Sequence, residues 1–438
     1  MRNTDSGSSV RLISAGSLEY LDITKRGQRM AQFLTMDDFD FKNKTTLVRV
    51  DFNSPLDAEK NLTDDTRIKM HAPTIKELAD KGAKVVILAH QGRPGDPDYS
   101  TLQKHAERLG KILGMPVRYV DDVFGEMAVK AIRSLKSGEA LMLENVRSVP
   151  DELAKKSPQE LAETPYIKTL AGLADLYVDD GFAVAHRPNA SLVAFPLVLP
   201  SAAGRVMEKE LTSLYKVKNA EEKPCVYIMG GAKADDAAAI SEYVLGHGTA
   251  DNILTGGVIA NLFLHAQGAK IGIPNVQLIE KRGFTQYVKK IQELLKKYDG
   301  KILTPEDFGV DVDGRRRDTT VKELPTNYPM LDIGPRTVKC YSAIVSKART
   351  IVISGPMGVY ERPEFMAGTK GVFEAVANSK AFSVVGGGNT IEAVEKLKLQ
   401  DKVSYISTGG GALMEFLTGK ILPGVEALEK AAGNKGKK

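Results

Sequence analysis

The sequence predicts an α/β protein built from parallel sheets with helices on both faces, repeated in two domains. Short runs of β-branched and apolar residues alternate with helix-like stretches, which is the pattern of strands connected by crossover helices. The alternation occurs in two successive series along the chain. The chain of 438 residues is also longer than one ordinary hydrophobic core accommodates. The same architecture is therefore predicted twice.

The predicted strands are the short apolar runs. In the first series they span residues 46–52, 84–90, 117–120, 140–146 and 176–180. In the second series they span residues 225–229, 252–255, 301–304, 350–354, 382–385 and 403–407. In the helix predicted after the first strand, Pro73 suits the first turn, and Ile75 and Leu78 share one face. Gly82 suits the end of this helix.

A boundary between the two series is predicted at residues 195–204. This segment contains two prolines followed by Ser-Ala-Ala-Gly, which favours a break between compact units. After it, Met207, Leu211, Leu214 and Tyr215 recur at helical spacing within residues 205–219. This pattern predicts a helix with one buried stripe, and its position between the two series indicates that it connects the two domains.

Composition excludes several classes of protein. The hydrophobic fraction of 42% and the charged fraction of 26% are typical of a globular protein. The net charge of +5 is small for this length, so nucleic-acid binding is not expected. The two cysteines cannot form a disulfide framework, and we find no membrane-spanning run or signal peptide, so a cytoplasmic location is expected. Residues 1–35 are expected to be a disordered extension.

Arginines and other polar residues follow the predicted strands of the first series. Ligands of open α/β sheets bind at the carboxyl ends of the strands, so these residues should meet. Guanidinium groups bind phosphate and carboxylate through paired hydrogen bonds, and several together indicate an anionic ligand. The residues are Asp51, Asn53, Arg67, His90, Arg93, Arg147, His186 and Arg187.

Glycines follow the predicted strands of the second series instead. Glycine lets backbone amides approach a polyphosphate, and the helix that follows offers free N–H groups. The glycine runs lie at residues 230–231, 256–257, 355–358, 386–388 and 409–411. Five such runs favour a nucleotide site, although none matches the P-loop or the dinucleotide-binding fingerprint.

A nucleotide crevice opposite an acid-binding crevice indicates phosphoryl transfer between two bound substrates, which needs charge neutralisation and alignment more than a nucleophile. We find no Ser-His-Asp, Cys-His or zinc-type cluster in the sequence. Two alternatives stay open at this point. One is a non-catalytic two-lobed binder of phosphorylated acids, and the other is a nucleotide-dependent α/β enzyme of another class, such as a dehydrogenase or ligase.

The motifs at these strand ends resemble those of the phosphoglycerate kinase family, in the order of that family from about residue 33 to about residue 428. They include Arg-Val-Asp-Phe-Asn at residues 49–53, Ala-His-Gln-Gly-Arg-Pro at 89–94, Leu-Glu-Asn-Val-Arg at 143–147 and Ala-His-Arg at 185–187. They continue with Gly-Gly-Ala-Lys at 230–233, Ser-Gly-Pro-Met-Gly-Val at 354–359, Gly-Gly-Gly-Asn-Thr at 386–390 and Ser-Thr-Gly-Gly-Gly-Ala at 407–412.

The resemblance implies two Rossmann-like domains joined by an interdomain helix and a hinge. The implied boundaries are 36–202 for the domain that binds 3-phosphoglycerate, 203–408 for the nucleotide-binding domain, and 409–438 for a segment that returns to the first domain. The implied reaction is reversible phosphoryl transfer between MgATP and 3-phosphoglycerate, giving 1,3-bisphosphoglycerate and MgADP. A monomer or homodimer is expected, with no nucleic-acid or membrane partner.

The family's site residues transfer to matching positions of this chain. Those implied for the triose acid are Asp51, Phe52, Asn53, Arg67, His90, Gln91, Gly92, Arg93, Arg147 and Arg187. Those implied for the nucleotide are Gly231, Ala232, Lys233, Gly256, Gly257, Pro356, Glu361, Gly387, Gly388, Asn389 and Thr390. Those implied for catalysis are Arg67, Lys233, Gly388 and Gly411.

Three positions depart from the pattern of most bacterial and eukaryotic members. Ala237 stands where a second lysine is usual, Asn389 where an aspartate associated with magnesium is usual, and Ser354 where an asparagine is usual. Together with Gln91 and the Asn-Ser-Pro run at 53–55, these departures resemble the archaeal branch of the family. Because Mg²⁺ prefers carboxylate, phosphate and water oxygens, Asn389 is expected to contact the ion of MgATP only through water.

Overall fold

The computed structural model describes residues 33–219 and 221–435. The predicted extension at residues 1–35 therefore falls largely outside the described residues. Phe33, Leu34 and Thr35 belong to the folded part of the chain, since the Phe33 side chain is 6% exposed and the Leu34 carbonyl accepts a hydrogen bond from the Ala203 N–H at 2.8 Å.

The secondary structure of these residues alternates between strands and helices. The strands are β1 (Thr45–Arg49), β2 (Lys84–Leu88), β3 (Val117–Val120), β4 (Ala140–Leu143), β5 (Leu176–Asp179), β6 (Ser201–Ala203), β7 (Cys225–Met229), β8 (Asn252–Thr255), β9 (Ile302–Leu303), β10 (Asp307–Val312), β11 (Arg315–Thr320), β12 (Met330–Ile333), β13 (Thr350–Ser354), β14 (Phe382–Gly386) and β15 (Tyr405–Ile406). The α-helices are α1 (Thr66–Asp80), α2 (Gln103–Leu113), α3 (Glu126–Arg133), α4 (Pro158–Ala162), α5 (Pro165–Ala171), α6 (Ala190–Val193), α7 (Phe195–Val198), α8 (Arg205–Lys218), α9 (Ala234–Gly246), α10 (Gly257–Ala266), α11 (Ile273–Lys281), α12 (Val288–Lys297), α13 (Pro335–Val345), α14 (Ala367–Ala377), α15 (Gly388–Lys396), α16 (Gly411–Leu417) and α17 (Pro423–Lys435). The 3₁₀ turns are Met36–Asp38, Val146–Ser148, Pro150–Leu153, Phe182–Val184, Phe284–Tyr287, Val321–Glu323, Pro363–Phe365 and Gln400–Lys402.

Two parallel sheets form the framework, as the sequence predicts, and each has six strands, where five were predicted in the first series and six in the second. The first has the order β3-β4-β2-β1-β5-β6 and the second the order β15-β14-β13-β7-β8-β9. The direction of chain progression reverses between β1 and β5 in the first sheet and between β7 and β13 in the second. Ligands of open α/β sheets bind at such reversal points, so each sheet has one preferred crevice.

Both faces of each sheet are buried, because successive side chains of a strand point to opposite faces. In β1, Leu47 and its neighbour Val48 pack into different hydrophobic clusters, and both are fully buried. Tyr227 and Ile228 of β7 do the same in the second sheet. Burying each such side chain stabilises the fold by about 1.5–3 kcal/mol relative to exposure, so each sheet needs helices on both faces.

The first long helix begins earlier than the proline predicts. Helix α1 starts at Thr66, so Pro73 lies inside the helix and not in its first turn. The proline lacks the N–H that an interior position normally donates. Ile68, Ile75 and Leu78 nevertheless form one fully buried stripe across it, and this packing outweighs the lost bond. As expected, Gly82 ends the turn after the helix, with a φ of 77°.

The segment at residues 195–204, predicted as a boundary between compact units, contains secondary structure that the sequence did not predict. It contains α7 and then β6, the edge strand of the first sheet. Helix α8 follows directly, close to the predicted range of 205–219.

The three-stranded antiparallel sheet of order β11-β10-β12 is absent from the sequence prediction, because its strands carry several charged residues in place of an apolar run. The last helix, α17, packs against α6, α7 and β6.

Within the described ranges, no helix has both the length and the apolar character that crossing a bilayer requires.

Candidate functional site

A cavity of about 310 Å³ lies at the carboxyl edge of the first sheet, at the reversal point between β1 and β5. It contains most of the residues predicted to hold an anionic acid and also the start of α16. Its lining residues are Asp51, Asn53, Arg67, His90, Gly92, Arg93, Asp96, Asp98, Arg147, Ala183, Val184, His186, Arg187, Thr408, Gly409, Gly410 and Gly411.

Asp51 and Arg67 form an ion pair at this edge. Asp51 follows β1 and is 2% exposed, whereas Arg67 lies in the first turn of α1 with 39% of its side chain exposed. Burial, followed by the charge of Arg187, lowers the pKa of Arg67. The pair places a carboxylate acceptor beside a cation that can bind an anion.

His90 is a buried, neutral imidazole that lines the same cavity. Its Nδ1 lies 3.2 Å from an Arg49 nitrogen, and since a guanidinium only donates, the ring proton is on Nε2. Nε2 lies 3.9 Å from the Asp51 carboxylate. Desolvation first, and then the positive charges of Arg49 and Arg147, hold the pKa of His90 well below its usual range. The ring is therefore a donor toward the cavity without adding a charge.

The other cavity arginines repel one another. Burial first, and then Arg187, lowers the pKa of the Arg147 guanidinium to about 10. Burial followed by the charge of Arg93 lowers the pKa of Arg187. Arg147 is held by a hydrogen bond to the Gly92 carbonyl. Because these cations repel one another, an anion that binds among them stabilises them. The cavity therefore favours a highly charged acid.

Arg49 does not line the cavity, but it contacts His90, which does. Its side chain is 2% exposed, and it lies 4.0 Å from the fully buried carboxylate of Glu152. Its Nε also donates to Ser191 Oγ at 2.8 Å, and Ser191 in turn donates to Glu152 at 2.7 Å. These partners lie more than 100 residues from Arg49 along the chain, so sequence spacing could not reveal them.

Two residues predicted to bind substrate, Phe52 and Gln91, do not line the cavity. Both are fully buried. The Gln91 amide accepts from the Ser54 N–H at 2.9 Å and donates to the Ser54 carbonyl at 3.0 Å, so it joins two strand-end loops. The neighbouring Asn53 does reach the cavity, and its side-chain oxygen accepts from the Gly92 N–H at 2.7 Å.

The start of α16 completes the cavity from the second half of the chain. The Thr408 N–H and the Ser407 hydroxyl donate to Glu210 of α8 at 2.9 and 2.8 Å. Gly410 has a φ of 51° and precedes the first residue of the helix, Gly411. The unpaired N–H groups of a helix start attract anions, so this end adds positive potential to the cavity.

Sequence reasoning assigned no binding role to several lining residues. Asp96, Asp98, Ala183 and Val184 all reach the cavity, as does His186, which the strand-end pattern had placed among the anion-binding candidates. Burial and then the charge of Arg187 lower the pKa of His186. The residues transferred from the family pattern omit His186 although it lies in the Ala-His-Arg motif, and the two aspartates lie in a loop without a distinctive pattern.

The glycine loops at residues 230–231, 256–257 and 355–358 meet at the reversal point of the second sheet, whereas the run at 409–411 lines the arginine cavity. The Gly230 N–H donates to the Ser354 carbonyl and the Gly231 N–H to the Pro356 carbonyl, each at 2.8 Å. The Gly257 N–H donates to the Met357 carbonyl, also at 2.8 Å. A Cβ on Gly230 would overlap the Pro356 carbonyl oxygen. Several of these glycines are therefore needed for loops to pack backbone against backbone, apart from any ligand.

Helix α15 begins beside these loops. Gly387 precedes it with a φ of 90°, and a Cβ on Gly388 would meet nothing within 4 Å. Asn389 is exposed, while the buried Thr390 hydroxyl accepts from the Gly355 N–H at 2.7 Å. This helix start is open to a ligand, unlike the packed glycine loops next to it.

The remaining predicted nucleotide residues lie along the same edge, outside the arginine cavity. Gly256 precedes α10, and Ala232 and Lys233 precede α9. Lys233 is exposed, with its Nζ 3.9 Å from Asp236. Glu361 is exposed after β13.

Ala237, which stands in place of a lysine, is 1% exposed in the hydrophobic core. A lysine there would have to extend out of the core to reach a ligand. Within residues 33–219 and 221–435, no three His, Cys, Asp or Glu side chains converge on a possible metal position.

A buried carboxyl beneath the site makes stability depend on pH. Burial raises the pKa of Asp179 to about 7, and one of its oxygens has no hydrogen-bond partner. Its unfolded pKa is about 4, so the folded state binds more protons between about pH 4 and pH 7, and stability falls as the pH rises through that window. Between pH 5 and pH 8, wild type is expected to lose about 2–3 kcal/mol of unfolding free energy through this carboxyl. Asp179→Asn lacks the carboxyl and is expected not to show this loss. Urea unfolding at both pH values measures this, and parallel pH dependences of the two proteins would contradict it.

Comparison with known proteins identifies the family. A family model described as phosphoglycerate kinase matches residues 36–420. The phosphoglycerate kinase of Methanothermus fervidus is 46% identical over 403 residues, which cover 92% of this chain and 98% of that protein. The crystal structure of phosphoglycerate kinase from Pyrococcus horikoshii OT3 matches with a TM-score of 0.81 at 42% identity, covering 91% of this chain and 99% of that chain. The structure of phosphoglycerate kinase from Coxiella burnetii matches with a TM-score of 0.79 at 33% identity, again covering 91% and 99%. The chain therefore belongs to the phosphoglycerate kinase family.

Proposed function

We propose that the chain catalyses reversible phosphoryl transfer between ATP and the carboxylate of 3-phosphoglycerate, giving 1,3-bisphosphoglycerate and ADP. Membership of the family makes it a phosphotransferase. The observation that carries the proposal is the cavity in which Arg67, Arg93, Arg147 and Arg187 face the start of α16. A site with four cations and a helix start suits a substrate that carries both a phosphate and a carboxylate.

The triose acid would bind on the side of the first sheet. Arg93, Arg147 and Arg187 would hold its phosphate, where their mutual repulsion is relieved. Asp51 would accept a hydrogen bond from the substrate hydroxyl, and the Nε2–H of His90 would donate one. The substrate carboxylate would then point toward Arg67 and the N–H groups at Gly410 and Gly411.

The chemical step needs no general base on the enzyme. The attacking group is the substrate carboxylate, which is already ionised near neutral pH. Arg67, Lys233 and the helix start at Gly411 would neutralise the charge of the phosphoryl group in transfer. Water must also be excluded, because it would otherwise hydrolyse ATP.

The nucleotide would bind along the glycine edge of the second sheet. Its phosphates would lie at the start of α15, near Gly387 and Gly388, where the backbone is open. Glu361 would bind the ribose hydroxyls. Magnesium would enter as part of the MgATP substrate, held by phosphate and water oxygens, with Asn389 contacting it through water. The buried position of Ala237 supports a nucleotide site with less charge near the transferring phosphate, so Lys233, Arg67 and the helix starts would carry more of its stabilisation.

The two substrates would meet when the two sheets approach each other. We propose the domain boundaries 36–202, 203–408 and 409–438, with hinge motion near α8 closing the crevice. The contact of α17 with α6 and α7 supports a last segment that returns to the first domain. A cytoplasmic location and a monomer or homodimer remain predictions.

A coupled assay tests the proposed reaction. Purified protein with ATP, magnesium and 3-phosphoglycerate is expected to release ADP, and omitting either magnesium or the acid is expected to abolish this. ADP release no faster than without the acid would reject the proposal. Binding of 3-phosphoglycerate that is unaffected by ATP, without turnover, would favour the non-catalytic binder, and turnover of NADH or NADPH would favour a dehydrogenase.

A further inference from the structure

His71 of α1 lies between the arginine cavity and the start of α8. Its side chain is 1% exposed, and each of its ring nitrogens has a partner. Nε2 accepts a hydrogen bond from the Asp51 N–H at 3.3 Å, and Nδ1 lies 2.7 Å from an oxygen of Asp180. Because a backbone N–H can only donate, Nε2 is an acceptor, and the ring proton is therefore on Nδ1, where it is donated to Asp180.

Asp180 extends this connection to the connecting helix. Its second carboxylate oxygen accepts from the Val206 N–H at 2.8 Å, in the first turn of α8. A Cβ on Gly204 would overlap this carboxylate, so the chain approaches Asp180 as closely as a glycine allows. A continuous path of hydrogen bonds thus runs from the Asp51 backbone through His71 and Asp180 to the start of α8.

Helix α1 reinforces the same connection along its length. Arg67, one turn before His71, pairs with the Asp51 carboxylate. One turn after His71, the Thr74 hydroxyl accepts from the Arg205 N–H at 3.2 Å. Glu77 accepts from the Arg205 guanidinium at 2.6 Å. The first turn of α1 therefore contacts the cavity, while its later turns contact the start of α8.

We infer that His71 is a positioning residue, which fixes the backbone at Asp51 for the triose acid and ties that backbone to the start of α8. The inference rests on the proposed function, because Asp51 is proposed there to bind the substrate hydroxyl. Two isosteres separate the two bonds of His71. Asparagine keeps a donor near the position of Nδ1 and loses the acceptor, whereas glutamine keeps an acceptor near the position of Nε2 and loses the donor.

The test compares KM values for the two substrates. Losing the acceptor leaves the buried Asp51 N–H unpaired, so His71→Asn is expected to raise the KM for 3-phosphoglycerate about fivefold to tenfold, with the KM for ATP changed less than about twofold. His71→Gln is expected to bring the KM for 3-phosphoglycerate back to within about twofold of wild type. Thr74→Val is the matched control, because it removes a bond between α1 and α8 without touching Asp51. It is expected to lower Tm and leave both KM values unchanged.

The outcomes separate this inference from the proposed function. A wild-type protein without turnover rejects the proposed function. An active wild type with a His71→Asn variant that loses only Tm, or raises both KM values equally, overturns the role of His71. If His71→Asn does not fold, ¹⁵N NMR of the wild-type imidazoles tests the inference by showing which ring nitrogen of His71 carries the proton. A protonated Nδ1 and an unprotonated Nε2 that shifts when 3-phosphoglycerate binds support the inference, and the opposite tautomer, a doubly protonated ring or an unshifted resonance overturns it.

Discussion

Replacing Arg67 with alanine is expected to lower kcat about a thousandfold, while the KM for 3-phosphoglycerate changes less than about fivefold. In the structure this guanidinium is paired with Asp51 and lines the same cavity as the start of α16. Its contact with the transferring phosphoryl is proposed to form only as the crevice closes, and an interaction made only in the transition state affects kcat. Steady-state kinetics with each substrate varied in turn measures both constants.

Arg93→Ala is the control for this prediction. Arg93 lies in the same cavity and is exposed, and it is proposed to hold the substrate phosphate in the ground state as well as in the transition state. Its removal should therefore raise the KM for 3-phosphoglycerate more than it lowers kcat. Arg67→Lys keeps the charge but loses the paired N–H donors of the guanidinium, so its kcat should lie between those of wild type and Arg67→Ala. A rise in the KM for 3-phosphoglycerate as large as the fall in kcat for Arg67→Ala would contradict a role confined to the transition state.

The arginine cavity was predictable because parallel strands bring their carboxyl ends to one edge. Asp51, His90, Arg147 and Arg187 follow four different strands, and the structure gathers them as that rule predicts. The motifs in family order then indicated the family, which the comparisons confirm. Side chains at strand ends were thus accessible to sequence reasoning, since their position depends only on where each strand stops.

The supporting residues were not predictable in this way. His71 and Asp180 are 109 residues apart, and only tertiary packing brings them together. The helix start predicted at Pro73 was wrong, because the buried stripe of α1 continues past the proline. Gln91 has the polarity of a binding residue, but its amide is satisfied by the backbone of Ser54. For His71 and Gln91 the deciding partner lies far away in the sequence, whereas for Pro73 it is the burial of neighbouring side chains of the same helix.

The number of glycine loops favoured a nucleotide site in the sequence, and the structure divides these loops into two groups. Gly230 and Gly355 approach each other's backbone, and a Cβ on either would overlap the carbonyl of a neighbouring loop. Gly388 has free space around it. Glycine is thus required in the first group by packing, while in the second group only a bound ligand would require it.

Gly230→Ala is accordingly expected to destabilise the protein by about 3 kcal/mol or more, because the overlapping atom belongs to the backbone and not to a flexible side chain. Moving the Pro356 carbonyl would also break its hydrogen bond from Gly231 and displace the loop from the nucleotide edge. The KM for ATP should therefore rise together with the loss of stability. Urea unfolding and kinetics on the same preparation measure both effects.

Gly388→Ala is the matched substitution, with the opposite expectation. Its Cβ meets no protein atom, and alanine favours a helix more than glycine does by about 1 kcal/mol, so stability should stay the same or rise slightly. If phosphates lie at the start of α15, the added methyl group would meet them, and the KM for ATP should rise about tenfold, since a displaced charge-assisted hydrogen bond contributes about 1.5–3 kcal/mol. A Gly388→Ala variant with unchanged KM for ATP would place the phosphates elsewhere. A Gly230→Ala variant with wild-type stability would mean that the loops can separate, and that their glycines serve the nucleotide after all.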